Sequence, residues 1–177
     1  MSVAIAIDAS GSCTEDFHDK KALARLKADF GGQQVRVIVF SDKILLDDMV
    51  DLNDATDETI QIRYGRSTMI DGVVKILKEE PVDHLVILTD GYYVSRDMSR
   101  CAGAITFLLY HEMDDATRDL LLKGTAHGNV FLEVLEKPVE ESKAHVRKYG
   151  CDPRNLVEWI NGNRATPFGP KGRKNGG

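Results

Sequence analysis

The chain has 177 residues, enough for one domain with a proper hydrophobic core. Hydrophobic residues make up 42% and charged residues 29%, the balance of a soluble globular protein. The formal net charge of −5 argues against a dedicated nucleic-acid binder, which carries a basic face. Charge is unevenly placed: Arg164, Lys171, Arg173 and Lys174 give the stretch from residue 164 onward about +4, leaving −9 for the rest. Cys13, Cys101 and Cys151 are odd in number, scattered and free of any C-x-x-C spacing, as reduced thiols of an intracellular protein would be. The first apolar run has no basic residues ahead of it and is broken by Asp8, so it does not read as a signal peptide. No segment approaches the roughly 20 apolar residues of a membrane span. A cytoplasmic location with no membrane contact is the expectation.

Strand and helix signals alternate from the start. Val3 to Ile7 is short and wholly apolar, as expected of a strand buried on both faces. Phe17, Leu23, Leu26 and Phe30 fall at helical spacing, predicting a helix from Phe17 to Phe30 that Gly31-Gly32 stops. Val35 to Phe40 is a β-branched second strand. The tight connection Ser41-Asp42-Lys43 makes Ile44 to Val50 its antiparallel hairpin partner. An acidic loop through Asp51, Asp54, Asp57 and Glu58 follows, read with Asp42, Asp47 and Asp48 as a solvated edge that discourages further strand pairing.

Ile70, Val73, Val74 and Leu77 share one helical face, and Pro81 ends that helix. His84 to Leu88 is the strongest buried-strand signal. Ala104 to Tyr110 is another strand, Asp114 to Lys123 a helix, and Val130 to Leu135 the last strand. Helical patterns return from Glu140 to Tyr149 and from Pro153 to Ile160. The fold class is therefore α/β: a doubly wound, mostly parallel six-stranded sheet with one antiparallel edge strand and helices on both faces. One domain over residues 1–162 precedes a basic, Gly/Pro-rich tail over 163–177, read as flexible and, at most, a weak route to nucleic acid.

In such sheets ligands lie beyond the C-terminal ends of the strands, where strand order reverses. Asp8, Ser10 and Ser12 follow the first strand, and Thr89-Asp90-Gly91 follows the strand beginning at His84. Gly65-Arg66-Ser67-Thr68 leads into the helix between them. If the two strands are neighbours at the switch point, three loops bring carboxylates and hydroxyls to one crevice. By itself the first motif could be a strand-ending turn that caps the next helix, since Asp and Ser suit both tasks.

Asp8-Ala9-Ser10-Gly11-Ser12, then Gly65-Arg66-Ser67-Thr68, then Thr89-Asp90-Gly91 together resemble von Willebrand factor type A domains. Their metal-ion-dependent adhesion site has the pattern D-x-S-x-S, then T, then D. Val39-Phe40-Ser41-Asp42 is similar to the family's second strand and turn, and the resemblance runs to about residue 160. It implies a Mg²⁺ site (or Mn²⁺ or Ca²⁺) in which Ser10, Ser12 and the threonine position coordinate directly, while Asp8 and Asp90 mostly hold coordinating waters and hydroxyls. For that threonine position, gapless spacing back from Gly72 nominates Ser67 and residue identity nominates Thr68; both stand.

Independently of the family, Mg²⁺ demands near-octahedral oxygen coordination. A shell of neutral hydroxyls leaves its charge largely uncompensated, so it should seek an Asp or Glu from a partner protein. The resemblance further implies a non-enzymatic adaptor or scaffold in an intracellular assembly, such as one built on an AAA-type ATPase. Two rivals differ in class: a Mg²⁺-dependent enzyme acting on a phosphoryl group, and a structural subunit with an incidental metal site. The enzyme lacks an evident nucleophile, base or motif lysine, and the chain has no P-loop, G-x-G-x-x-G or G-x-S-x-G. Cys13 adjoins the motif without a neighbour that would activate it, and the five histidines show no metal-ligand spacing. Tyr92-Tyr93 either rims the metal face or packs under its loop.

Overall fold

A computed structural model of the chain describes residues 1–60 and 67–135. Gly65 and Arg66, the expected helices over 140–149 and 153–160, and the tail over 163–177 lie outside the described residues.

Strand β1 (Val3–Asp8) is wholly buried, as an apolar run without alternation requires. It pairs in parallel with β2 (Gln34–Phe40) on one side and with β4 (Val82–Thr89) on the other. Beyond β2 lies β3 (Ile44–Asp51), antiparallel and forming the edge, with a register shift at Val39/Phe40. Beyond β4 come β5 (Ala102–Leu109) and β6 (Val130–Val134), both parallel. Among the described residues the sheet therefore has six strands in the order β3-β2-β1-β4-β5-β6. This is the type A-like, Rossmann-like α/β fold expected from the sequence, and its order reverses between β1 and β4.

The strand period of two sends alternate residues to opposite layers. Val3, Ile5 and Ile7 of β1 join one core with Cys13 and Phe17 of α1 (Gly11–Asp19) and Leu23 and Leu26 of α2 (Ala22–Phe30). Ala4 and Ala6 join the other with Val73, Val74 and Leu77 of α4 (Asp71–Glu79) and Leu121 of α5 (Asp115–Gly124). The short α3 (Asp57–Ile60) and a 3₁₀ turn (Leu52–Asp54) lie in the acidic connection, Ile60 and Leu52 facing the first core. Each large side chain that is fully buried in these layers contributes about 1.5–3 kcal/mol.

Two expectations need correction. The helix expected from Phe17 to Phe30 is two helices, and the first begins at Gly11. Lys21 interrupts them with φ of 52°, a left-handed conformation that cannot continue a right-handed helix. The acidic stretch is solvated as expected, with Asp42, Asp47, Asp48, Asp54 and Glu58 exposed, but it is not a plain loop, since it carries the 3₁₀ turn and α3. Asp51 accepts from the Asn53 amide at 3.0 Å and the Gly32 amide at 3.1 Å. Asp57 meets His18 at 2.9 Å. On the neighbouring edge strand, Arg36 grips Asp47 through two bonds of 2.7 and 2.9 Å.

Candidate metal centre

Asp8 is the last residue of β1 and fully buried. Its Oδ1 accepts from the Ser10 amide at 2.9 Å, closing the turn that carries the chain off the strand. Its Oδ2 accepts from the Thr89 hydroxyl at 2.8 Å, reaching across the β1–β4 boundary. Burial pushes the Asp8 carboxyl above its usual range against the pull of the bonds from Ser10 and Thr89. The one charge among the leading influences on it is that of Asp90, which raises it further.

Ser10 occupies the N-cap position of α1 with extended backbone (φ −61°, ψ 158°), yet its hydroxyl caps nothing. The hydroxyl instead bonds the Asp8 carboxylate. A motif serving only to start the helix would spend that oxygen on the backbone of the first turn. Ser12 falls within that first turn; its side chain is outside what the structure describes.

Asp90 stands just beyond β4, and its carboxylate accepts from the Tyr92 amide at 3.0 Å. Gly91 carries the chain away with φ of 94°, readily available only to glycine, and a side chain there would fall against Met113. Ligand atoms of Asp8, Cys13 and Asp90 lie within 4.8 Å of one another.

The hydroxyl loop is pinned from β2: the Ser41 hydroxyl donates to the Ser67 carbonyl at 3.0 Å, and the Met69 amide donates to the Ser41 carbonyl at 2.9 Å. Within it, the Thr68 hydroxyl faces Asp8 at 3.4 and 3.5 Å, longer than a good O–H···O bond. Ser67 is exposed, one residue farther out. Both line the cleft, along with Ser10, Gly11, Asp90, Tyr92, Tyr93 and Arg96. Geometry thus brings Thr68, rather than Ser67, against Asp8.

The donor set fits a hard divalent cation. A buried carboxylate held above its normal pKa, a second carboxylate beside it and neutral hydroxyls make an oxygen-rich, electronegative site. The Cys13 thiol does not change that character. Burial and the neighbouring carboxylates push it up to about 12, so it stays protonated at neutral pH. Of the four described histidines none joins the cluster. His18 and His111 meet Asp57 and Asp16, His84 is buried against Thr106, and His127 meets the Ala102 carbonyl.

Three contributors escaped the sequence reading. Thr89 was part of a recognised motif but had no assigned role. Ser41 acts only through the loop it holds, and Arg96 reaches the cleft by a chain path that no motif marks.

No family model matches the chain, and no curated protein matches its sequence. Solved structures resemble it in fold. The conserved hypothetical protein BatB from Bacteroides thetaiotaomicron superposes with a TM-score of 0.54 at 12% identity, covering 92% of this chain and 99% of that one. An aerotolerance-related membrane protein from Bacteroides fragilis, bearing multiple mutations to serines, gives 0.50 at 14% identity over the same shares of the two chains. At such identities the likeness shows a shared fold and nothing further. Among the described residues no helix is long and apolar enough to cross a membrane.

Proposed function

We propose that this protein is a non-catalytic protein–protein interaction module that binds a divalent cation, Mg²⁺ foremost, and uses it to hold an Asp or Glu of a partner. The observation that carries this reading is the fully buried Asp8 carboxylate, joined by Asp90, Ser10 and Thr68 at the point where strand order reverses. Ser10, Ser12 and Thr68 would hold the cation, with Asp8 and Asp90 supplying charge and orienting the hydroxyls. The bound cation would supply an electrophilic point for a carboxylate from outside. The chain's own residues do the rest: Ser41 fixes the hydroxyl loop, Thr89 orients Asp8, and Gly91 supplies the left-handed turn that follows Asp90.

The adaptor or scaffold role, with an AAA-type ATPase or a multiprotein assembly in the cytoplasm as its setting, is supported by the motif resemblance. Isothermal calorimetry with Mg²⁺, Mn²⁺ and Ca²⁺ on wild type and Asp8→Ala tests the core of the proposal. Binding by wild type that disappears in the variant is expected; no binding, or equal binding by both, sinks it. Capture of partners from the native host with and without EDTA then tests whether the cation mediates recognition.

A further inference from the structure

We propose that the cleft reads its partner at two cationic points, the bound metal and Arg96, and that the preferred ligand is an extended protein segment with two carboxylates flanking an apolar side chain. This builds on the cation-mediated reading above and adds a second contact to it.

Arg96 is the one cationic side chain among the described residues that line the cleft, in a chain of net charge −5. Its guanidinium is half exposed. Nε donates to Asp71 Oδ1 at 3.1 Å and Nη1 to the Ser95 carbonyl at 2.6 Å. Asp71 is itself exposed, so the pair is weak and exchangeable for an incoming carboxylate. The planar fork of arginine suits that exchange better than a lysine would.

The apolar element comes from the rim. Five large hydrophobic side chains are exposed among the described residues, and Met69, Tyr92 and Tyr93 are three of them, all on the loops that carry Thr68 and Asp90. Tyr93 is 78% exposed and sits at φ of 63°, a backbone conformation that side-chain-bearing residues avoid. Glycine or asparagine would sit there more easily, and the exposed ring offers an apolar surface to the ligand's apolar side chain. The cleft, at about 660 Å³, holds several side chains rather than one carboxylate.

The test uses blocked dodecapeptides in a Gly/Ser background, carrying either one Glu or two Glu separated by one to three residues that include Leu. Affinities are measured by calorimetry in Mg²⁺ and in EDTA. In Mg²⁺ the best two-Glu peptide should bind wild type about fivefold more tightly than the one-Glu peptide. That ratio should fall to about one in Arg96→Gln and widen in Asp71→Asn, where the competing carboxylate is gone. A wild-type ratio of one at every spacing, or a preference that survives Arg96→Gln, overturns the proposal. EDTA separates it from the underlying reading: one-Glu binding unchanged by chelation removes the cation, whereas an Arg96-dependent preference persisting in EDTA keeps the second point. Absence of binding by every peptide in both conditions overturns both.

Discussion

Thr89 donates its hydroxyl to Asp8 at 2.8 Å, tying the ends of two adjacent parallel strands that are 81 residues apart in the chain. The same oxygen accepts from the Gly91 amide at 3.2 Å, so one buried hydroxyl orients a carboxylate and anchors the turn beyond Asp90. Thr89→Val keeps the shape and removes both bonds. It should cost about 1–3 kcal/mol, because the polar groups left behind stay buried. Urea denaturation in EDTA measures this, and an unchanged midpoint would show that the hydroxyl is dispensable.

Asp8 sets the sign of a second outcome. Its folded carboxyl lies above the ordinary range through burial. As pH rises from the unfolded chain's carboxylate value toward the raised folded value, the unfolded state loses its proton first. The cation-free protein therefore loses stability across that window and stays weakened above it. Asp8→Asn should thus lack this pH-dependent loss in EDTA, although its amide cannot accept from both Ser10 and Thr89 as the carboxylate does. In Mg²⁺ wild type should gain about 2.7 kcal/mol at a hundredfold excess over Kd and the variant nothing. Thermal melts of both proteins across pH in both buffers report the two differences.

Thr68→Ala and Ser67→Ala decide which hydroxyl matters. With Thr68 facing Asp8 at 3.4 Å and Ser67 outside it, Thr68→Ala should weaken Mg²⁺ affinity about tenfold or more, while Ser67→Ala leaves it within about twofold. Calorimetric titration gives both numbers, and the opposite ranking would restore the spacing-based assignment to Ser67.

Tyr93→Gly should separate stability from recognition. Removing a side chain from φ of 63° relieves strain by about 1–2 kcal/mol, part of which the flexibility of glycine in the unfolded chain offsets. A variant about 0.5 kcal/mol more stable, yet poorer at binding the Leu-containing peptides, is the expected pair of results. Equal peptide affinity would show that the ring plays no part in binding.

His84 predicts an acid weakness remote from the cleft. Its Nε2 lies 2.8 Å from the Thr106 hydroxyl, its ring packs 6.0 Å from that of Phe30, and Nδ1 has no partner among the described residues. Burial pushes its pKa down to about 4. The folded state refuses a proton that the unfolded chain accepts near 6.5, so stability is complete above about pH 6.5 and falls as pH drops toward 4. The loss reaches about 3 kcal/mol. Denaturation at pH 7, 5.5 and 4.5 should show this slope in wild type and a flatter one in His84→Gln.

The strands were legible because central parallel strands are buried on both faces and must read as unbroken apolar runs, as Val3 to Ile7 and His84 to Leu88 do. The antiparallel edge was legible from the three-residue connection at Ser41-Asp42-Lys43. The start of α1 was not. Thr14, Glu15 and Asp16 give its first turns a polar cast, and the buried pair Cys13 and Phe17 is too sparse a stripe to announce a helix. The break at Lys21 was hidden for another reason: lysine carries no conformational signal for a left-handed turn. In the cleft, Asp8, Ser10 and Asp90 were found through their motif, and their convergence follows from the pairing of β1 with β4. That Thr68 rather than Ser67 lies beside Asp8 depends on the anchor from Ser41, a contact 26 residues away that spacing does not encode.

The cleft has no local version. Asp8 meets Thr68 across 60 residues of chain and Thr89 across 81, so neither pairing exists before the sheet has closed. A ligand gripped by these loops together would act as a reversible cross-link over long loops, where the closure entropy it offsets is large. Its affinity would then double as a gauge of folding: weakening any central strand, even far from the cleft, would loosen the grip in proportion to the fraction of chains unfolded.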